Sequence, residues 1–298
     1  DVFLWPYGVT KNYSVTLPSG DGEKTAILTI TDVAGNTSET VLDTITLDAT
    51  PPTGSVVIND DDEYTSSRDI TLTLTGDDAT SGVDQMRFST DGGTTWTDWE
   101  AFADTKDLTL QAGDGSKEVQ YELRDLAGNT QVFSDTITLD TTAPTGSVSI
   151  NNDDEFTTSR DVTLTLTFDD ATSGVDQMRF STDGGATWSD WEDFTDTKDL
   201  TLPEGDGDKE VQYELKDEAG NTEVFTDAII LDLEVPTGTV VINDDDAYTN
   251  SRTVTLTLTQ ADEGSGPKEM RFKVGDGAWS DLEDMASTKS LTLDDQDG

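Results

Sequence analysis

The chain has 298 residues, with 63 Asp and Glu against 17 Lys and Arg, a net charge of −46, and neither histidine nor cysteine. That composition excludes disulfide and thiol chemistry, removes the usual general base and the commonest transition-metal ligand, and leaves no basic face for nucleic acid. No apolar run approaches the roughly 20 residues that span a bilayer, so no membrane insertion is expected in this segment.

In chain order, the first 48 residues hold Gly20-Asp21-Gly22, one alternating strand and the phrase Asp32-Val33-Ala34-Gly35-Asn36. A complete unit follows over 49–140. Its strands are predicted at 54–58, 69–75, 85–89, 95–100, 107–110, 118–124 and 131–139, divided by turn clusters as in an all-β sandwich. Ile70, Leu72 and Leu74 alternate with Thr71, Thr73 and Thr75, the pattern of a half-buried strand. Asp91-Gly92-Gly93 marks a hairpin turn. Residues 141–232 repeat this unit and 233–298 begin it again, with one residue deleted near Gly275 and the copy stopping at Asp297-Gly298.

The period is 92 residues: Pro52, Pro144 and Pro236, then Arg68, Arg160 and Arg252, then Met86, Met178 and Met270. A period that long with a strand-rich unit denotes a string of domains, here 1–48, 49–140, 141–232 and 233–298. Each unit adds about 35–45 Å, from strands at about 3.3 Å per residue plus a linker. Asp1 reads as the edge of an excised or processed chain, and the two partial copies read as a window cut from a longer array. Trans-complementation is the alternative: the last copy would accept strands from the start of a neighbouring chain, giving a head-to-tail filament.

The phrases LDATPPTGSVVIND, MRFSTDGGTTW and RDLAGNT resemble the bacterial immunoglobulin-like repeats of large surface adhesins and surface-layer-associated proteins. That resemblance implies tandem two-sheet sandwiches in a linear array, an extracellular or cell-surface location, an extender or adhesive role, and often calcium at domain joints.

In such a sandwich the loop after the second strand and the loop before the last lie at the end where the preceding linker enters. Asp48 of the linker, Asp78 and Asp125 are therefore expected at one joint, Asp140, Asp170 and Asp217 at the next, and Asp232 and Asp262 at the last. Asp77 becomes Ala261 in the third copy whereas Asp78 is kept as Asp262, which favours Asp78 as the ligand. Calcium takes six to eight oxygen ligands at about 2.3–2.6 Å and would convert the repulsion among these acids into a rigid linker. The competing reading is a solvated acidic joint. A second acidic loop, Asn59-Asp60-Asp61-Asp62-Glu63, with Asp21, Asp114 and Asp206 between glycines, is placed at the opposite end, either as a second cation site or, as the favoured reading, as self-capping turns. Arg68, Arg160 and Arg252 are expected to pair with its acids.

Trp96 and Trp99, repeated as Trp188 and Trp191, are expected in the core; an exposed ring would instead offer a sugar-stacking platform. No glycine-rich phosphate loop or break in the repeat builds a unique cleft, so no enzyme is expected. The sequence reads as a calcium-stiffened extender whose partners are neighbouring repeats. A surface-layer or filament subunit is the second reading, and a carbohydrate-binding module the third.

Overall fold

The structure, a computed structural model, describes residues 12–293. The first eleven residues and the Asp297-Gly298 end of the last copy lie outside the described residues. The chain divides into two compact units, one ending at Thr142 and one beginning at Ala143.

The first unit opens with an antiparallel hairpin, β1 (Gly22–Leu28) and β2 (Val41–Leu47), with Gly22 opposite Leu47. The complete repeat follows as β3 (Thr53–Ile58), β4 (Tyr64–Thr65), β5 (Asp69–Asp77), β6 (Val83–Ser89), β7 (Glu100–Ala101), β8 (Thr105–Thr109), β9 (Gly115–Asp125) and β10 (Thr130–Leu139). Two sheets result, in the orders β3-β5-β8 and β4-β10-β9-β6-β7.

Period-two patterning decides which side of each strand enters the core. Along β5, Ile70, Leu72 and Leu74 are buried while the threonines between them face solvent. From the opposite sheet come Phe88, Tyr121 and Leu123, and the Tyr121 ring stacks on Phe88 with centroids 5.6 Å apart. Each such side chain, fully buried, contributes about 1.5–3 kcal/mol. The Asp135 carboxylate ties the sheets together by accepting the Ile58 N–H at 2.8 Å.

The second unit repeats this in β11 (Thr145–Ile150), β12 (Phe156–Thr157), β13 (Asp161–Asp169), β14 (Val175–Ser181), β15 (Glu192–Asp193), β16 (Thr197–Thr201), β17 (Gly207–Asp217) and β18 (Thr222–Leu231). A third copy begins with β19 (Thr237–Ile242), β20 (Thr253–Ala261), β21 (Glu269–Met270), β22 (Glu283–Asp284) and β23 (Thr288–Thr292). Its three-stranded sheet, β19-β20-β23, matches β3-β5-β8, but opposite it stands only the two-residue pair β21-β22 among the described residues.

Two expectations need correction. The strand predicted at 95–100 shrinks to Glu100–Ala101, because Asp91 binds the Thr95 N–H and hydroxyl and the Trp96 indole N–H donates to the Gly93 carbonyl, which draws the segment off the sheet. The short β4, unpredicted, pairs parallel to β10, with Thr138 opposite Tyr64.

Candidate metal centre

Three loops of the first unit converge near the start of the complete repeat. Beyond β5 the chain turns sharply, and Asp78 Oδ1 accepts the N–H groups of Thr80, Ser81 and Gly82 at 3.2, 2.8 and 2.8 Å. Burial pushes the Asp78 pKa up, but those three donors together outweigh it and hold the group below its ordinary value. Asp125 ends β9, is 1% exposed, and binds Asn129 through both oxygens: the N–H at 2.9 Å and the side-chain amide at 2.8 Å. Gly128 makes that tight loop feasible at φ 97°. The Asn129 amide also donates to the Asp48 carbonyl at 3.2 Å, fastening the incoming linker to the loop.

Asp48 is 9% exposed. Its Oδ1 accepts the Thr50 N–H at 3.1 Å, and its Oδ2 is buried without a hydrogen-bond partner. An unpaired buried carboxylate oxygen is costly. One oxygen from each of Asp48, Asp78 and Asp125 lies within 4.8 Å of the other two. Oxygens bound to one calcium ion at about 2.3–2.6 Å stand no more than about 5 Å apart, so the three carboxylates fit a hard cation in chemistry and spacing and would fill part of its shell. Asp77, beside it in sequence, is exposed.

The same local architecture recurs at the other positions. Asp140, fully buried, accepts the Thr142 N–H at 3.1 Å. In the second unit Asp170 accepts Thr172, Ser173 and Gly174 at 3.1, 3.0 and 2.8 Å, and Asp217 holds Asn221 by two bonds of 2.8 Å. The third copy differs. Asp262 accepts Gly264 and Gly266, while Asp232 Oδ2 is taken by the Ser265 N–H at 2.6 Å, the leading cause of its lowered pKa.

Sequence reasoning missed Asp21, Asp114 and Asp206 as parts of the joints and assigned them to self-capping turns. Asp114 instead reaches the departing linker, accepting the Thr141 N–H at 2.9 Å, the Thr141 hydroxyl at 2.8 Å and the Thr142 hydroxyl at 2.7 Å. Asp21 accepts the Ala49 N–H at 2.9 Å and the Thr50 hydroxyl, and Asp206 the Leu233 N–H at 3.0 Å. The hydroxyl of Thr50, then the Ala49 N–H, hold the Asp21 pKa down, while the charge of Asp78 acts to raise it. The available signal was a glycine-flanked aspartate at a nearly fixed distance before each linker.

Loop 59–63 is a left-handed turn: Asn59, Asp60 and Asp61 have φ of 46°, 58° and 77°. Asn59 Oδ1 accepts the Thr71 N–H of β5 at 2.9 Å rather than capping its own turn. Arg68 and Arg160 donate to the Leu110 and Leu202 carbonyls at 2.8 Å, and Arg160 also pairs with Glu204, beside Asp206, at 3.3 Å.

The tryptophans are not in the core either. Trp96 and Trp99 are half-buried on the outer face of the five-stranded sheet. Arg87, paired with Glu122 at 2.5 Å, lies 4.9 Å from the Trp96 ring centroid and 4.5 Å from that of Trp99, and Arg124 is also 4.5 Å from Trp99. Arg179, Trp188, Trp191 and Lys216 repeat the ladder. The inner faces were already filled by Met86 and Phe88, so the indoles pack on guanidinium groups instead.

Residues 3–49 match the family model of a bacterial Ig-like domain. No curated protein matches the chain. Among solved structures, a region of a 1.5-MDa bacterial ice-binding adhesin is 16% identical with a TM-score of 0.40, covering 83% of this chain and 88% of its own. A tetra-tandem repeat from the extending region of a large adhesion protein is 20% identical with a TM-score of 0.32, covering 92% and 74%. The fibronectin(III)-like modules of Clostridium thermocellum CbhA are 15% identical with a TM-score of 0.39, covering 59% and 92%. The matched stretch carries the Asp-x-Ala-Gly-Asn-Thr phrase at Asp32, and the chain repeats that phrase at Asp125 and Asp217.

Proposed function

We propose that this chain is a non-enzymatic extender segment of a secreted or cell-surface adhesin-like protein, with calcium stiffening its joints. Two observations carry the calcium reading: Asp48 Oδ2 is buried without a hydrogen-bond partner, and one oxygen from each of Asp48, Asp78 and Asp125 lies within 4.8 Å of the others. Calcium would supply positive charge that neutralises these carboxylates and ties three otherwise separate segments to one point. The protein supplies the positioning. Backbone N–H groups lock Asp78, Asn129 locks Asp125, and the Asn129 amide holds the linker carbonyl beside them. The same acids return 92 residues later as Asp140, Asp170 and Asp217, which a device serving every joint requires. Chelation is expected to lower the melting temperature and increase joint flexibility, read by calorimetry and small-angle scattering. Identical curves with calcium and with chelator would sink the reading.

A second reading rests on two open faces. Leu28 and Ile45 of the β1–β2 hairpin are exposed, whereas Tyr121 and Ile137 at the corresponding places of β9 and β10 are buried. The third copy lacks that hairpin among the described residues. On this reading the hairpin of one copy would be donated to the third repeat of another. Sedimentation of the 298-residue polypeptide is expected to show concentration-dependent oligomers, and a monomer at all concentrations would refute it. The sugar-platform reading gains nothing comparable, because Arg87 and Arg124 already occupy the Trp99 ring.

A further inference from the structure

The loop between β8 and β9 reaches the linker beyond β10 through one side chain. Asp114 sits between Gly113 and Gly115, whose φ values of 88° and 102° place it at the tip of a tight turn. There it collects three hydrogen bonds from Thr141 and Thr142, the two linker residues that follow Asp140. Asp21 does the same for Ala49 and Thr50, two residues after Asp48.

We infer that this aspartate is a latch independent of calcium, a positioning residue that binds the first linker residues back onto the repeat they leave. It acts at the joints of the extender proposed above but does not depend on the cation. Its mechanical consequence follows from chain length. Five residues, Asp140 to Pro144, separate β10 from β11, and latching Thr141 and Thr142 leaves only Ala143 and Pro144 unrestrained. Proline fixes one of the remaining dihedrals. In the linker before β19, Leu233 and Glu234 stand where the two threonines were, and the hydroxyl donors are gone. Asp206 keeps one bond, to the Leu233 N–H, and three residues, Glu234 to Pro236, lie beyond it. The latch therefore grades the joints: it is strong after the first complete repeat and weak after the second.

A labelling experiment in the full chain tests this. There is no native cysteine, so Gln131→Cys and Glu223→Cys place spin labels at equivalent exposed sites of the two complete repeats. Distances are measured throughout in excess EDTA, so the outcome is separate from that of the calcium reading. Asp114→Ala is expected to broaden the distance distribution, roughly 1.4-fold if two freed linker residues join the two already free. Asp114→Asn, which keeps an acceptor oxygen, is expected to give an intermediate width. Melting of the repeat 49–140 is expected to stay put. An unchanged distribution in Asp114→Ala overturns the inference. So does broadening that comes with a matching fall in the melting temperature, because the repeat itself would then have loosened.

Discussion

The repeat at 49–140 and the copy at 233–293 share sequence and register but not burial. Ile58 faces Leu72 across β3 and β5, and Ile242 faces Leu256 across β19 and β20 in the same way. Yet Ile58 is 1% exposed and Ile242 48%. Strand pairing is local, set by alternation and turn chemistry, whereas burial requires the second sheet. The contrast extends to the acids. Asp48, grouped with Asp78 and Asp125, keeps an unpaired buried Oδ2, while Asp232 has given its Oδ2 to Ser265. Thr80 of the complete repeat is Gly264 in the last, and a Cβ there would collide with the Asp232 carboxylate. One side chain thus separates a carboxylate with an unpaired buried oxygen from one that is self-satisfied.

The largest expected effect tests the cores. Ile58→Ala should cost about 2–5 kcal/mol, as a truncation inside a closed core does, whereas Ile242→Ala should cost under about 1 kcal/mol. Segment-resolved hydrogen exchange separates the two, and equal costs would mean that the last copy is closed in solution. Next comes Asp125→Ala, which strips Asn129 of its partners and should cost about 1–3 kcal/mol, seen as faster exchange at Asn129. Gly264→Thr should then break the Asp232–Ser265 bond, shift the Ser265 amide resonance and leave the Asp232 oxygen unpaired, as at Asp48; an unmoved resonance would contradict the assigned role of Gly264.

The smallest effect is acid dependence. The Thr95 hydroxyl, then the Thr95 N–H and Ser89 hydroxyl, lower the Asp91 pKa to about 2, and Asp183 is lowered likewise to about 2. Both folded values lie below the unfolded value of about 3.9, so their stabilisation is present above that pH and lost as pH falls through about 2. Fluorescence of Trp96 and Trp188 in the folded chain should accordingly stay constant until pH nears about 2, where both carboxyls protonate.

Much of this architecture was legible in the sequence because it is local. Alternation in Ile70, Leu72 and Leu74 gave β5 its face, and the 92-residue spacing aligned Asp48, Asp78 and Asp125 with their later copies. Separating Asp78 from Asp77 needed only the third copy. What was not legible depends on partners distant in sequence. Trp96 and Trp99 leave the expected strand for Arg87 and Arg124, a contact that no local pattern encodes. Asp114 looked like a turn residue because the chain end it grips, Thr141 and Thr142, lies 27 and 28 residues away. β4 was invisible because two residues carry no periodicity.

Calcium binding at Asp48 is the claim on which the proposed stiffening of the joints turns, and calorimetric titration of the wild-type chain against Asp48→Asn tests it most directly. Asparagine keeps an acceptor for the Thr50 N–H and removes the charge from the buried oxygen. The account predicts calcium uptake by the wild type, one site fewer in Asp48→Asn, and a calcium-dependent stabilisation of about 2.7 kcal/mol per site at a hundredfold excess over Kd. A wild-type chain that takes up no calcium, or an Asp48→Asn chain that titrates identically, would contradict it.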